Sequence, residues 1–193
     1  MIRFINKLIF KKILGWRIEG FIPADKKIIA IVAPHTSWYD FFVGIFTRSI
    51  LKMENRVKFL GKEELFKIPL FGYILRKIGG FPVVRNKETN SVDSVVEIFN
   101  KKKNFFLALA PEGTRKKVDK LKTGFYYIAL KAKVPILLVG FDFKKKLVHF
   151  GEKLYPSGDI EKDMKIIITY FKKFKGKIPV NGLNHFKVWK DIW

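Results

Sequence analysis

His35 and Asp40 stand five positions apart, with Thr-Ser-Trp-Tyr between them. Histidine is a competent general base near neutral pH. A carboxylate a turn further on can reach the other ring nitrogen, fix the tautomer and stabilise the imidazolium. Backbone N–H groups at the start of the helix after His35 are candidate donors to an oxyanion. A second group, Pro111-Glu112-Gly113-Thr114-Arg115, has a different chemistry. Gly113 lets the backbone approach an anion, Thr114 donates a hydroxyl, and Arg115 offers a bidentate phosphate grip. Lys116, Lys117, Lys120 and Lys122 extend the cationic field behind it. One group moves a proton; the other holds an anion.

Other chemistries are poorly supplied. The chain has no cysteine, which removes disulfides, thiolate metal sites and cysteine nucleophiles and fits a reducing compartment. No metal constellation, nucleotide-phosphate loop or dinucleotide fingerprint is present, so neither a metal nor a bound cofactor is called for. Ser49-Ile50-Leu51-Lys52 and Lys122-Thr123-Gly124 echo penicillin-binding serine enzymes, but the Ser-Asp-Asn element is missing. His149 and His185 carry no motif and read as surface or packing residues.

The elements that must position these residues follow from hydrophobic patterning. Ile28–Ala33 reads as a strand leading into Pro34–Asp40, with a helix from Trp38 to Leu51. Val57–Leu60 is a strand, Glu63 to Ile78 a helical stretch, and Pro82–Val84 a short strand. A helix over Val92–Lys102, capped by Asn90 or Ser91, precedes the continuous apolar run Phe105–Ala110, typical of a strand buried on both faces. Thr123–Lys133 is helical, Pro135–Val139 a buried strand and Lys146–Phe150 a more exposed one. An amphipathic helix carrying Met164, Ile167, Ile168 and Phe171 opens near Ser157 and Asp159. This alternation predicts an α/β fold: one domain, a largely parallel sheet flanked by helices. Ligand chemistry in such sheets collects beyond the carboxyl ends of the strands, where both groups fall.

With 193 residues the chain is long enough for one domain with a sizeable core. We divide it into an N-terminal amphipathic segment, residues 1–16, and a main domain, 17–193. In that segment Ile2, Ile5, Leu8, Ile9 and Ile13 recur at helical spacing, while Arg3, Lys7 and Lys11 form a cationic stripe. Phe4, Phe10 and Trp16 widen the apolar face, and Trp16 suits an interface anchor. The expectation is a helix lying in an anionic headgroup layer. No stretch approaches the apolar length of a spanning helix, and the mixed N-terminus is unlike a cleavable signal. The expected location is therefore peripheral (monotopic), at the cytoplasmic face of the cell membrane. The 39 Lys and Arg against 17 Asp and Glu, net +22, suit anionic lipid or nucleic acid. Lysine dominance and the absence of any nucleic-acid-binding signature favour lipid, leaving a basic nucleic-acid-binding domain as the non-enzymatic rival.

Taken in order, the motifs resemble the glycerolipid acyltransferases typified by 1-acylglycerol-3-phosphate (lysophosphatidic acid) acyltransferase. His35 and Asp40 match the family's catalytic His-x4-Asp block, and Glu112 to Arg115 its Glu-Gly-Thr-Arg block. Gly80-Phe81-Pro82-Val83-Val84-Arg85 is similar to the block whose arginine serves phosphate binding. Val134-Pro135-Ile136 is similar to the block on the acyl-donor side, and Gly61-Lys62-Glu63-Glu64-Leu65 to the Lys-x-Glu-Leu segment. The resemblance runs from about Gly15 to Phe141.

What it implies is acyl transfer from acyl-CoA or acyl carrier protein to a lysolipid hydroxyl, in phospholipid biosynthesis. His35 and Asp40 are the catalytic pair; Lys62, Arg85, Glu112, Gly113, Thr114 and Arg115 bind the acceptor, with Glu112 on a hydroxyl or orienting Arg115. Phe41 and Phe42 extend the acyl-donor side. The implied partners are an anionic membrane, a lysolipid and an acyl carrier protein. Four positions depart from the family pattern: Pro34, Val84, Lys116 and Leu138. The expected acceptor is 1-acylglycerol-3-phosphate, giving phosphatidic acid; these departures keep another lysolipid or an acylated amino acid as the alternative.

Overall fold

Odd and even positions of the strand Lys27–Ala33 face opposite ways, and both faces are buried. Ile29, Ile31 and Ala33 join one apolar cluster. Ile28 and Ala30 join another. That single strand therefore predicts a sheet covered on both sides. The structure, a computed structural model describing residues 2–83 and 91–186, is such a sheet. Nothing is described of the side chains of Ile2, Lys62, Val83 and Ser91.

Seven strands form it: β1 (Arg17–Gly20), β2 (Lys27–Ala33), β3 (Val57–Lys62), β4 (Gly80–Val83), β5 (Phe105–Leu109), β6 (Ile136–Asp142) and β7 (Leu147–Leu154). Their order is β1-β7-β6-β2-β5-β3-β4. All neighbours are parallel except β6 and β7. The helices are α1 (Ile2–Leu8), α2 (Tyr39–Ile50), α3 (Glu63–Lys67), α4 (Pro69–Lys77), α5 (Ser91–Lys101), α6 (Gly124–Ala132) and α7 (Ile160–Phe171). Val95 and Phe99 of α5, Phe125 and Ile128 of α6, and Met164 and Ile167 of α7 cover the face of Ile29 and Ile31. Val43 of α2 covers the opposite face together with Phe10 and Trp16 of the N-terminal segment. Asp159 caps α7, its side chain accepting from Lys162 N.

Several expectations change. The stretch Glu63 to Ile78 breaks into two helices because Pro69 restricts Ile68 to an extended conformation. β1 is an additional edge strand paired along β7, and β7, expected to be exposed, buries Leu147, Val148 and Phe150, the last two in the cluster with Phe10 and Trp16. The N-terminal segment is tied to the domain. α1 widens into a π turn over Ile9–Ile13, Phe10 is fully buried, and Trp16 is 7% exposed. Trp16 is therefore not an interface anchor: it stacks on Phe10 and meets Phe143 edge-on at 4.9 Å. Burying such a ring stabilises the fold by roughly 2–3 kcal/mol, which holding it in water or lipid would forfeit. Arg3 likewise leaves the predicted cationic stripe, donating to Ser49 O and pairing with Glu54. Lys7 and Lys11 remain exposed, as do Ile5, Leu8 and Ile13, while Ile9 is half-buried. No helix among the described residues is long and apolar enough to cross a membrane.

Candidate active site

β2 and β5 are parallel neighbours in register from Lys27↔Phe105 to Ile31↔Leu109. The segments that follow them, 34–40 and 110–122, therefore leave the sheet at the same edge. Asp40 lies in the first turn of α2 and is buried. Its Oδ2 accepts from Thr36 N at 2.7 Å and Ser37 N at 2.9 Å, and faces His35 Nδ1 at 3.0 Å. Three donors on one carboxylate oxygen close the turn into a unit and hold the ring through Nδ1. Nε2 is then the nitrogen available to take a proton from a bound hydroxyl. The amides of Thr36 and Ser37 are spent on Asp40, so they do not serve an oxyanion as the sequence suggested. Holding the charged orienter in a buried turn has first claim on them.

Glu112 sits behind this turn. It is 1% exposed, and its Oε1 accepts from His35 N at 2.7 Å. Oε2 is buried with no hydrogen-bond partner among the described residues. Burial pushes its pKa up to about 7, opposed by the hydrogen bond from the His35 amide. Glu112 thus turns its carboxyl to the backbone of His35, not to Arg115, and it does not line the cleft that holds Arg115. The motif places Glu112 in the site, but only the strand pairing reveals which side of His35 it supports.

Arg115 does share a cleft with the pair. A cavity of about 490 Å³ is lined by His35, Asp40, Phe41, Gly44, Arg48 and Arg115, with apolar walls from Phe59, Leu60, Ile78 and Ala108 among others. It runs along α2 from Asp40 to the buried Arg48, about 12 Å at 1.5 Å per residue. Arg48 donates to the carbonyls of Ile78 and Glu54, joining α2 to the end of α4. Gly113 has φ +66°, a conformation that favours glycine. It and Thr114 are exposed beside Arg115.

The remaining candidates separate. Phe41 lines the cleft and meets Phe59 edge-on. Phe42 does not; it stands half-exposed against Trp38 and Phe41. Val134, Pro135 and Ile136 are buried at the opposite end of the sheet. The register Ile29↔Ile136 puts them four residues, about 13 Å of strand, from Ala33. Their role here is packing under α6, because an apolar strand start fills the core wherever the chain re-enters the sheet. Lys62 ends β3, and Arg85 and Asn90 lie outside the described residues. Sequence reasoning missed residues 176–186, whose Ile178 N donates to Thr36 Oγ1 at 3.2 Å. Neither periodicity nor a motif marks them.

Residues 17–142 match the family model described as Acyltransferase. The chain is 31% identical over 138 residues to the 1-acyl-sn-glycerol-3-phosphate acyltransferase of Streptococcus pneumoniae (strain ATCC BAA-255 / R6), covering 67% of this chain and 50% of that one. It is 28% identical over 149 residues to the protein of the same name from Bacillus subtilis (strain 168), covering 76% and 67%. With that of Escherichia coli (strain K12) the identity is 30% over 135 residues, covering 66% and 53%. In these three the matched part is about half to two thirds of the relative's length.

Proposed function

The chain belongs to the acyltransferase family, and on that footing we propose that it moves a fatty acyl group from a thioester to the hydroxyl of 1-acylglycerol-3-phosphate, giving phosphatidic acid. The observation that carries this reading is the His35 Nδ1–Asp40 Oδ2 contact of 3.0 Å in the cleft that also holds Arg115. The names of the relatives support the acceptor.

The acceptor hydroxyl gives its proton to His35 Nε2 as its oxygen attacks the thioester carbonyl carbon. Asp40 stabilises the resulting imidazolium. The tetrahedral intermediate collapses with cleavage of the carbon–sulfur bond, and the thiolate takes the proton from Nε2. The products are an ester and a free thiol, with no acyl-enzyme. Arg115 grips the phosphate and orients the acceptor, so proximity supplies much of the rate. The acyl chain lies in the apolar part of the cleft beside Phe41, Gly44 and Phe59. Its donor is acyl-CoA or acyl carrier protein, whose phosphates or acidic surface suit the +22 charge.

The working place is an anionic bilayer surface at the cytoplasmic face. Two elements support it: α1, with Phe4 72% exposed, and α4, with Leu70 74% exposed beside Tyr73, Arg76 and Lys77. Exposed apolar side chains rimmed by cations suit the headgroup layer of anionic lipid.

The test is purified protein with an acyl thioester and a panel of lysolipids, products being identified by mass spectrometry. Phosphatidic acid formed by the wild type and not by His35→Ala is the expected result. A product from a phosphate-free acceptor alone would overturn the choice of acceptor. Co-sedimentation with phosphatidylglycerol vesicles, weakened by salt, checks the membrane reading.

A further inference from the structure

The loop carrying Arg115 has few bonds of its own. It closes at Gly113 N→Ala110 O and Lys122 N→Pro111 O, and Thr114 Oγ1 accepts from Lys116 N. Its middle is held from outside, by residues beyond the 17–142 family match. Asn181 Nδ2 donates to Arg115 O at 3.0 Å. His185 Nε2 lies 2.8 Å from Val118 O and its Nδ1 2.9 Å from Gly182 O. A ring protonated on Nε2 donates to the loop.

The same stretch grips the catalytic turn. Ile178 N donates to Thr36 Oγ1, and Gly176 lies so close to Thr36 that a Cβ there would come within 2.5 Å of that oxygen. Lys177 Nζ stands 5.3 Å from the centre of the Tyr39 ring. The stretch is itself firmly seated: Leu183 and Phe186 are buried in the core, Lys172 Nζ donates to Phe186 O, and Lys175 O accepts from Phe143 N. One segment therefore touches both motifs, beside His35 at one end and at the backbone of Arg115 at the other.

We propose that residues 176–186 are a strap that sets the spacing between proton transfer and headgroup binding, with Asn181 and His185 as the positioning residues for the Arg115 loop. This rests on the reading that Arg115 binds the acceptor phosphate. Neither residue meets substrate; each acts through a loop carbonyl. Removing either leaves Arg115 present but loosely placed. The cost falls chiefly on acceptor binding, with a smaller share on the chemical step.

The experiment is steady-state kinetics on the full chain with 1-acylglycerol-3-phosphate as acceptor, paired with amide hydrogen exchange across 113–119. Asn181→Ala raises acceptor KM about five- to tenfold, the size of one lost hydrogen bond, with kcat and the thioester KM little changed. Exchange across 113–119 quickens. Asn181→Asp behaves like Asn181→Ala, because it keeps the volume and presents an acceptor to a carbonyl. His185→Phe raises KM similarly, and His185→Gln, which can donate, recovers most of it. In an Arg115→Ala background Asn181→Ala adds nothing. Wild-type kinetics in Asn181→Asp would overturn the strap, as would full additivity with Arg115→Ala. If His185→Phe fails to fold, Asn181→Asp decides alone. If Arg115→Ala itself leaves acceptor KM unchanged, the headgroup reading falls. The strap is then upheld by faster exchange in Asn181→Asp and overturned by unchanged exchange.

Discussion

The turn 34–40 and the loop 110–122 leave the sheet at the same edge and are built by opposite means. In the turn, Thr36, Ser37 and Asp40 are buried, and Asp40 closes it through contacts that span no more than five residues, with one long-range bond each to Glu112 and Ile178. In the loop Pro111, Glu112 and Leu121 are buried near its two ends; Gly113 to Lys117 between them are exposed, and support arrives from Asn181 and His185. Proton transfer needs atoms held to a fraction of an ångström, which a short self-bonded turn supplies. Gripping an anion needs a cation that can reach out, which an exposed and externally braced loop supplies. A substitution in the turn should abolish chemistry, and one in the loop should grade it.

The sharpest way to break that contrast is His35→Ala. Losing the general base is expected to lower kcat about a thousandfold or more, with vesicle binding unchanged. Activity within tenfold of wild type would mean that the turn does not carry the proton.

Glu112 lies where the two regions meet, and it titrates. Its pKa is raised to about 7 by burial, from 4.5 in the unfolded chain. Below pH 4.5 it is protonated in both states and costs nothing. As pH rises towards 7 the unfolded chain loses the proton first, so the folded state binds more protons and stability falls. The loss approaches roughly 3 kcal/mol by the time pH passes 7. Glu112→Gln keeps an acceptor for the His35 amide but cannot ionise. Urea unfolding between pH 4.5 and 8 should show the wild type weakening relative to the variant, which stays flatter. Parallel curves would mean that Glu112 is ionised or solvated at both ends of that range.

Arg115→Ala tests the loop itself. Losing a charge-assisted grip should raise KM for a phosphorylated acceptor about ten- to a hundredfold, with a smaller effect on kcat. An equal fall in kcat would erase the distinction between the two regions. No change would mean that the acceptor carries no phosphate.

The same contrast explains what the sequence made legible. β2, α2, β5 and α6 follow from apolar runs and from capping or breaking residues within the element itself, and His35–Asp40 is a local pattern at a strand end. β1 was not readable because it is a four-residue edge strand, Arg-Ile-Glu-Gly, that exists only by pairing with β7. Trp16 looked like an anchor because its partners, Phe10 and Phe143, come together only in the fold. Val134-Pro135-Ile136 kept its place in the motif order, yet strand direction carried it to the far end of the sheet. His185 carries no motif, since its meaning depends on a carbonyl 67 residues away.

The smallest expected effect tests whether the turn's own helix has any freedom left. Gly44 sits in the middle of α2 and lines the cleft, and a Cβ there meets nothing within 4 Å. Glycine inside a helix costs roughly 1 kcal/mol relative to alanine, so Gly44→Ala should raise Tm by about 2–4 °C. The methyl group must then stand in the groove assigned to the acyl chain. Turnover of the longest acyl thioesters should fall about three- to tenfold against short ones, while His35 chemistry on short chains is preserved. A higher Tm with an unchanged chain-length profile would show that the acyl chain runs elsewhere. A lower Tm would show that α2 is packed as tightly at Gly44 as the turn is at Asp40. Only the combination of a more stable protein and a shorter chain preference fits a turn closed tightly around Asp40, followed by a helix that leaves one gap for substrate.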